Sequence, residues 1–162
     1  MYKLVVLSCA ISIGTFAASP LPTNQFDQIT GLKGKCNAEK GVYKVSAPRT
    51  DMEVTVDNWQ MPPFMGLTSW AAFAAVTALH NTWSAFAGKD DNAVVDGDFV
   101  VLEKELQPVL KSLHKSGINI VAILHHMSSE EPRMLFLHYW GRGSAQELTQ
   151  SVKRALEVEN RP

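Results

Sequence analysis

Apolar positions define the elements more sharply in the second half of the chain than in the first. Phe99-Val-Val-Leu102 is a short unbroken apolar run and predicts a strand. Leu102, Leu106, Val109, Leu110 and Leu113 then recur at helical spacing and form one apolar helix face. Pro108 fits a helix only in its first turn, which predicts a start near Lys104 or Glu105, and Gly117 ends the element. Residues 118–124 and 134–140 are apolar on both alternating sets. They predict two strands buried on both faces, at the centre of a sheet. Ser144-Ala-Gln-Glu147 has the form of a capping box and opens a last helix, with Leu148, Val152, Ala155 and Leu156 on its inner face.

The first half is less regular. Phe26 and Ile29-Thr-Gly-Leu32 predict a short helix ending at Gly31 or Gly34. Val42-Tyr-Lys-Val45 and Met52-Glu-Val-Thr-Val56 predict two strands joined by a turn over 47–51, with Arg49 and Asp51 pairing with each other or capping the turn. Asn58-Trp59-Gln-Met61-Pro62-Pro63 breaks the pattern. From Leu67 to Leu79 the alanines favour helix by propensity. Yet Trp70-Ala-Ala-Phe73 is echoed by Trp83-Ser-Ala-Phe86, and a repeated aromatic pair predicts a strand at one or both copies. Trp59, Trp70, Trp83 and Trp140 read as core residues. The order strand–helix–strand–strand–helix from residue 99 onward gives an α+β fold, a mixed, largely antiparallel sheet with helices packed on it.

Composition narrows the function. A chain of 162 residues with net charge -1 carries no basic footprint, which argues against a nucleic-acid partner. Lys3 is the only charge among residues 1–18, and Leu4 to Ala18 is apolar or small, the form of a secretory signal, with a retained N-terminal anchor as the competing reading. Ser19-Pro20-Leu-Pro22 closes that run before the roughly 20 apolar residues that a spanning helix needs. The expected organisation is a signal peptide over 1–18, a flexible segment over 19–25 and a single domain over 26–160. The mature protein is then exported, periplasmic or extracellular, with no stable membrane span. Cys9 leaves with the signal, so Cys36 stands alone and forms no intrachain disulfide.

Three of the five histidines fall between 125 and 138. Side chains alternate along a strand, so residues 124 and 126 share a face and 125 points away. His126 and His138, with Glu105 at the helix start, form two imidazoles and a carboxylate, a workable set for an open divalent site such as zinc. Register decides whether they meet. If 127–133 is the whole turn, His138 sits opposite Ala122 and His126 faces Met134. That offset of four residues is roughly 13 Å, too long for a shared ion, so only a longer loop or another register brings the rings together. The plainer alternative makes these histidines satisfied polar groups at a sheet edge. His125, Arg133 and Arg142 are candidate ligand-binding residues. The turn Gly141-Arg142-Gly143-Ser144 leads into a helix N-terminus, where free N–H groups with Arg142 and Arg133 would hold a carboxylate or phosphate; an ordinary glycine-relieved turn is the competing reading. No serine-nucleophile elbow, phosphate loop, Cys-x-x-Cys or His-Glu-x-x-His is present.

Asp27-Gln-Ile-Thr-Gly-Leu-Lys-Gly-Lys35, Gly41-Val-Tyr-Lys-Val45, Pro48-Arg-Thr-Asp51, Met61-Pro-Pro-Phe-Met-Gly66, Gly97-Asp-Phe-Val100, Glu105-Leu-Gln-Pro108, Glu131-Pro-Arg133 and Leu137-His138 resemble the bacterial LppY/LpqO family, a domain of unknown function. The likeness runs from about Asp27 to Val158. It implies an exported or lipid-linked bacterial protein without an agreed biochemical role. Relatives carry a His-x-His pair on the central strand; here Leu124 holds the first position and His126 the second. Residues 74–83 look like extra length. Three functions are therefore weighed: a binding protein for a small ligand or metal at the His126/His138 edge, a metal-assisted hydrolase, and a structural envelope protein. Leu124 favours the first and third, because catalysis tolerates a missing ligand poorly.

Overall fold

A computed structural model describes residues 21–76 and 93–159. Helix α1 (Thr23–Thr30) leads into strands β1 (Lys35–Asn37) and β2 (Val42–Pro48), followed by β3 (Thr55–Val56), β4 (Trp59–Gln60) and β5 (Thr68–Ala75). Then come β6 (Ala93–Leu102), α2 (Glu103–Lys115), β7 (Asn119–Leu124), β8 (Glu130–Glu131), β9 (Met134–Gly143) and α3 (Ala145–Glu159). Six strands form one antiparallel sheet in the order β1-β2-β5-β6-β9-β7, and β4-β3-β8 form a small second sheet. The fold is α+β with helices packed on a sheet, as expected.

Alternation along the strands sends one set of side chains to the helices. Val45, Phe73, Val95, Phe99, Leu137 and Tyr139 are buried there against Val109 and Leu113 of α2 and Leu148, Val152 and Ala155 of α3. Ser144 accepts the Glu147 N–H at 3.1 Å and caps α3 as its capping-box sequence predicts. Gly97 has a packing reason. A Cβ there would run into the Trp70 carbonyl and the Tyr139 hydroxyl, and its absence lets Tyr139 cross β6 to donate to that carbonyl at 3.0 Å.

The opposite face of the sheet is only partly covered. The small sheet lies over one end, where Val54, Leu67, Val100, Met134 and Phe136 form a second core. Asp57 and Asn58 both take positive φ, 49° and 64°, and tie β3 to β4 as a two-residue hairpin. The Asp-Asn pair was the available signal for it, where the sequence pattern had suggested only a break.

Several elements differ from expectation. Residues 118–124 do not make a central strand. β7 is the sheet's edge, and Val121, Ile123 and Leu124 are exposed, because an apolar run records burial potential and not the presence of a neighbour. Pro108 lies inside α2, which begins at Glu103. β2 pairs with β5 and not with residues 52–56, so the Ala-rich segment at Trp70 is a strand, with alternation outweighing alanine propensity. The second copy at Trp83 lies outside the described residues. Trp59 and Trp140 are exposed rather than core.

Candidate functional site

Antiparallel register places directly opposed residues on the same face. Ser46↔Trp70, Trp70↔Asp98, Asp98↔His138 and His138↔Ala122 therefore form one row across five strands, on the face away from the helices. Asp96, opposite Trp140, lies one step along. His138 is clasped between the two acids. Nδ1 is 3.2 Å from Asp98 Oδ1 and Nε2 is 3.2 Å from Asp96 Oδ1. Sequence reasoning missed Asp96 and Asp98. Their signal was the alternation Asp96-Gly-Asp98 within an otherwise apolar strand, which sends two carboxylates to one face.

Beside this row is an open trough of about 450 Å³, bounded by Lys44, Trp70, Phe64, His126, Phe136 and Asp98. Its walls are aromatic. His126 stacks on Phe136 with centroids 3.5 Å apart and planes 13° off parallel. Lys44 Nζ lies 3.8 Å from the centre of the Trp70 ring, a cation–π contact. Phe64, on the short 3-10 turn Pro63–Met65, is 82% exposed at the rim. Among the described residues neither ring nitrogen of His126 has a hydrogen-bond partner, and no carboxylate pairs with Lys44.

The proposed metal set is not brought together. Register holds as far as expected: His138 faces Ala122, and Leu124 faces Phe136. Glu105 is elsewhere. Its two oxygens take bonds from Arg49 Nη1 and Nη2 at 3.0 Å each, and Oε2 accepts the Leu102 N–H at 2.8 Å. It is the reciprocal capping residue of α2 and the partner of a buried arginine, not a donor beside His138. Among the described residues no group of three or more His, Cys, Asp or Glu side chains converges for an ion. Asp96 and Asp98 grip opposite nitrogens of His138, so the three cannot share a centre with the ring in that pose.

The ligand-binding candidates separate as well. His125 Nδ1 donates to the Met134 carbonyl at 2.7 Å, and its Nε2 lies 3.1 Å from Arg133 Nη2, as an acceptor. The pair fastens the β7–β9 connection. Gly141 to Gly143 is not a turn but the end of β9, where Arg142 pairs opposite Val94. Arg133 precedes β9 and Arg142 lies near its far end, roughly 30 Å away along an extended chain. They do not form one anion site.

Arg49 centres a buried cluster at the edge of the second core. It binds Asp51 through Nε and Nη2 at 2.9 Å, the expected pairing, and also donates to the Val100 carbonyl at 2.5 Å. β5–β6 pairing ends at Trp70↔Asp98, so Arg49 and Ser69 complete what the ladder leaves open at Val100; Ser69 Oγ accepts the Val100 N–H at 2.9 Å. Ser69 also donates to Glu159 at the end of α3. Glu159 is fully buried, its Oε2 lacks a partner, and burial pushes its carboxyl up to about 7. Arg49 attracts it from 3.7 Å, but the guanidinium is already committed to Asp51 and Glu105, so desolvation prevails. Arg49 lowers the Asp51 carboxyl through its hydrogen bonds.

A six-stranded antiparallel sheet with helices on one face and an aromatic, charged trough on the other defines an α+β domain with a ligand-sized open site. The chain belongs to the family described as Domain of Unknown Function (DUF1259), whose model matches residues 24–158. Neither a curated protein nor a solved structure matches the chain.

Proposed function

We propose that this is an exported binding protein of the LppY/LpqO type, which holds a small organic acid in the trough of the open sheet face. The apolar body of the ligand lies on Trp70, the His126 ring and the exposed Phe64, and its acid group meets Lys44. The carrying observation is an aromatic recess in which Lys44 and both nitrogens of His126 lack polar partners among the described residues, while the lining carboxylate Asp98 is engaged by His138. Sites for small molecules are mostly apolar with a few polar groups that fix orientation. The apolar segment over 4–18 supports export.

The test is a thermal-shift screen of aromatic and aliphatic carboxylates against their neutral amides, followed by calorimetry. A ligand at 100 times its Kd stabilises by about 2.7 kcal/mol, a shift of several degrees. Trp70→Ala and Lys44→Met remove that shift. If no acid outperforms its amide, the reading is wrong.

A divalent ion such as zinc is the second reading, favoured by Asp96, Asp98 and His138 sharing one sheet face. It requires the imidazole to swing out from between the two acids. Elemental analysis of protein purified without a metal-affinity tag tests it: a stoichiometric ion lost in His138→Ala supports the reading, and its absence removes it. A metal-assisted hydrolase would further require chelator-sensitive turnover.

A further inference from the structure

The two edges of the main sheet are unlike. At one, β1 has three residues and carries Lys35, the short and charged form that discourages pairing with another strand. At the other, β7 offers six residues, Asn119-Ile-Val-Ala-Ile-Leu124, with no charge and no proline. Val121, Ile123 and Leu124 are exposed there, at 59%, 44% and 38%. Beyond β7 no strand of the described residues takes its outward N–H and C=O groups. A bulge between Ile120 and Ala122 interrupts the β9 side of the strand, but it places no charge on the edge and leaves Val121 the most exposed of its residues.

We propose that β7 is the seam of a homodimer, in which two copies pair this strand antiparallel about a two-fold axis and join their sheets. An edge of unpaired backbone groups is matched by another strand, and a two-fold needs only one self-complementary surface. The layer above supplies that complementarity. α2 connects β6 to β7 and packs on β7, outermost of the helices on this side. Its flank toward α3 carries Pro108, Lys111, Ser112 and Lys115. At 100° per residue the opposite flank holds Glu103, Leu106, Leu110 and His114. The two-fold runs α2 antiparallel to its copy, so on this flank Glu103 of one copy meets His114 of the other, with Leu106 and Leu110 between them. A charge-neutral apolar strand beneath a helix flank with an acid at one end, an imidazole at the other and leucines between fits its own copy better than it fits a charged peptide.

Sedimentation velocity of the purified protein over a hundredfold range of concentration tests the seam. The wild type sediments as a dimer at tens of micromolar. Ile123→Lys and Val121→Lys, both at exposed positions, sediment as monomers with circular dichroism and melting cooperativity unchanged, whereas Lys40→Glu at the far edge leaves the dimer intact. Ile123→Cys in a Cys36→Ser background forms a disulfide-linked dimer on mild oxidation, and His114→Cys on the helix flank weakly or not at all. A wild type that is monomeric throughout overturns the proposal, as does a dimer that survives both lysine substitutions.

Discussion

Arg49, just past the end of β2, and His138, on β9, are both set among carboxylates, yet they stand in different solvents. Arg49 is 1% exposed, and its partners Glu105 and Glu159 are buried with it. His138 and its partners Asp96 and Asp98 all remain partly open to water. Burial makes the first cluster a structural element, because an ion taken out of water must be matched group by group. Exposure leaves the second weak as a source of stability, since water and salt screen it. It also leaves those groups within reach of a ligand.

The contrast is sharpest on deletion. Arg49→Ala leaves Glu105 with no cation, Glu159 with no nearby positive charge and the Val100 carbonyl with no donor, all in a nearly water-free region. The expected loss is about 3–5 kcal/mol in urea denaturation at pH 7. A loss below about 1 kcal/mol would show that the cluster is wetter than its geometry indicates.

Glu159 gives the next largest effect, with opposite sign. Its folded-state carboxyl is raised from 4.5 to about 7. The folded protein therefore holds a proton that the unfolded chain releases between pH 4.5 and 7, and stability from this group falls as pH rises through that window. Glu159→Gln keeps an acceptor for Ser69 and removes the ionisation. It stabilises the protein at pH 8 by up to about 3 kcal/mol and by little at pH 4. Denaturation midpoints of the two proteins at a series of pH values check this. Asp51 works the other way, since its lowered carboxyl contributes above its unfolded value and is lost in acid. The slope in Glu159→Gln should therefore become flat or rise with pH.

How much of this was legible follows from range. The capping box at Ser144, the inner face of α3, the pairing of Arg49 with Asp51 and the pairing of His138 with Ala122 all rest on local spacing or one turn, and the structure has each of them. Glu105 was singled out correctly as a carboxylate at the start of a helix. Its partner Arg49 is 56 residues away, and no periodicity carries that information. β7 reads as central in the sequence because Ile, Val and Leu on both parities look the same whether a neighbouring strand is present or not. Asp96 and Asp98 are legible in the sequence, because two acids at alternate positions of an apolar strand share one face.

His138→Ala is expected to cost no more than about 1 kcal/mol, and that cost should shrink in 0.5 M salt. The same substitution loosens Asp98, which lines the trough, so binding of an organic acid weakens as the freed carboxylate repels it. Arg49→Ala should lower stability far more while leaving binding to the folded fraction intact. If both substitutions lower stability equally, or both abolish binding equally, the division between a structural and a ligand-facing cluster fails.

The smallest change in stability with the largest change in chemistry is expected from Leu124→His. Leu124 is 38% exposed and lies opposite Phe136, on whose ring His126 stacks. Losing its partial burial costs about 1 kcal/mol or less. A histidine at 124 would share the open face with His138, two residues along the facing strand, roughly 7 Å by rise. It would also make a His-x-His pair with His126. Once the His138 ring turns from between its two acids, the new imidazole, His138 and Asp98 are two imidazoles and a carboxylate on one face, enough for an open zinc set. Calorimetry with zinc should show binding in Leu124→His that is at least tenfold tighter than in the parent and is lost again in the double substitution with His138→Ala. Zinc binding of equal strength in the parent would mean that Leu124 had removed nothing, and the exposed cluster would then be a metal centre in its own right.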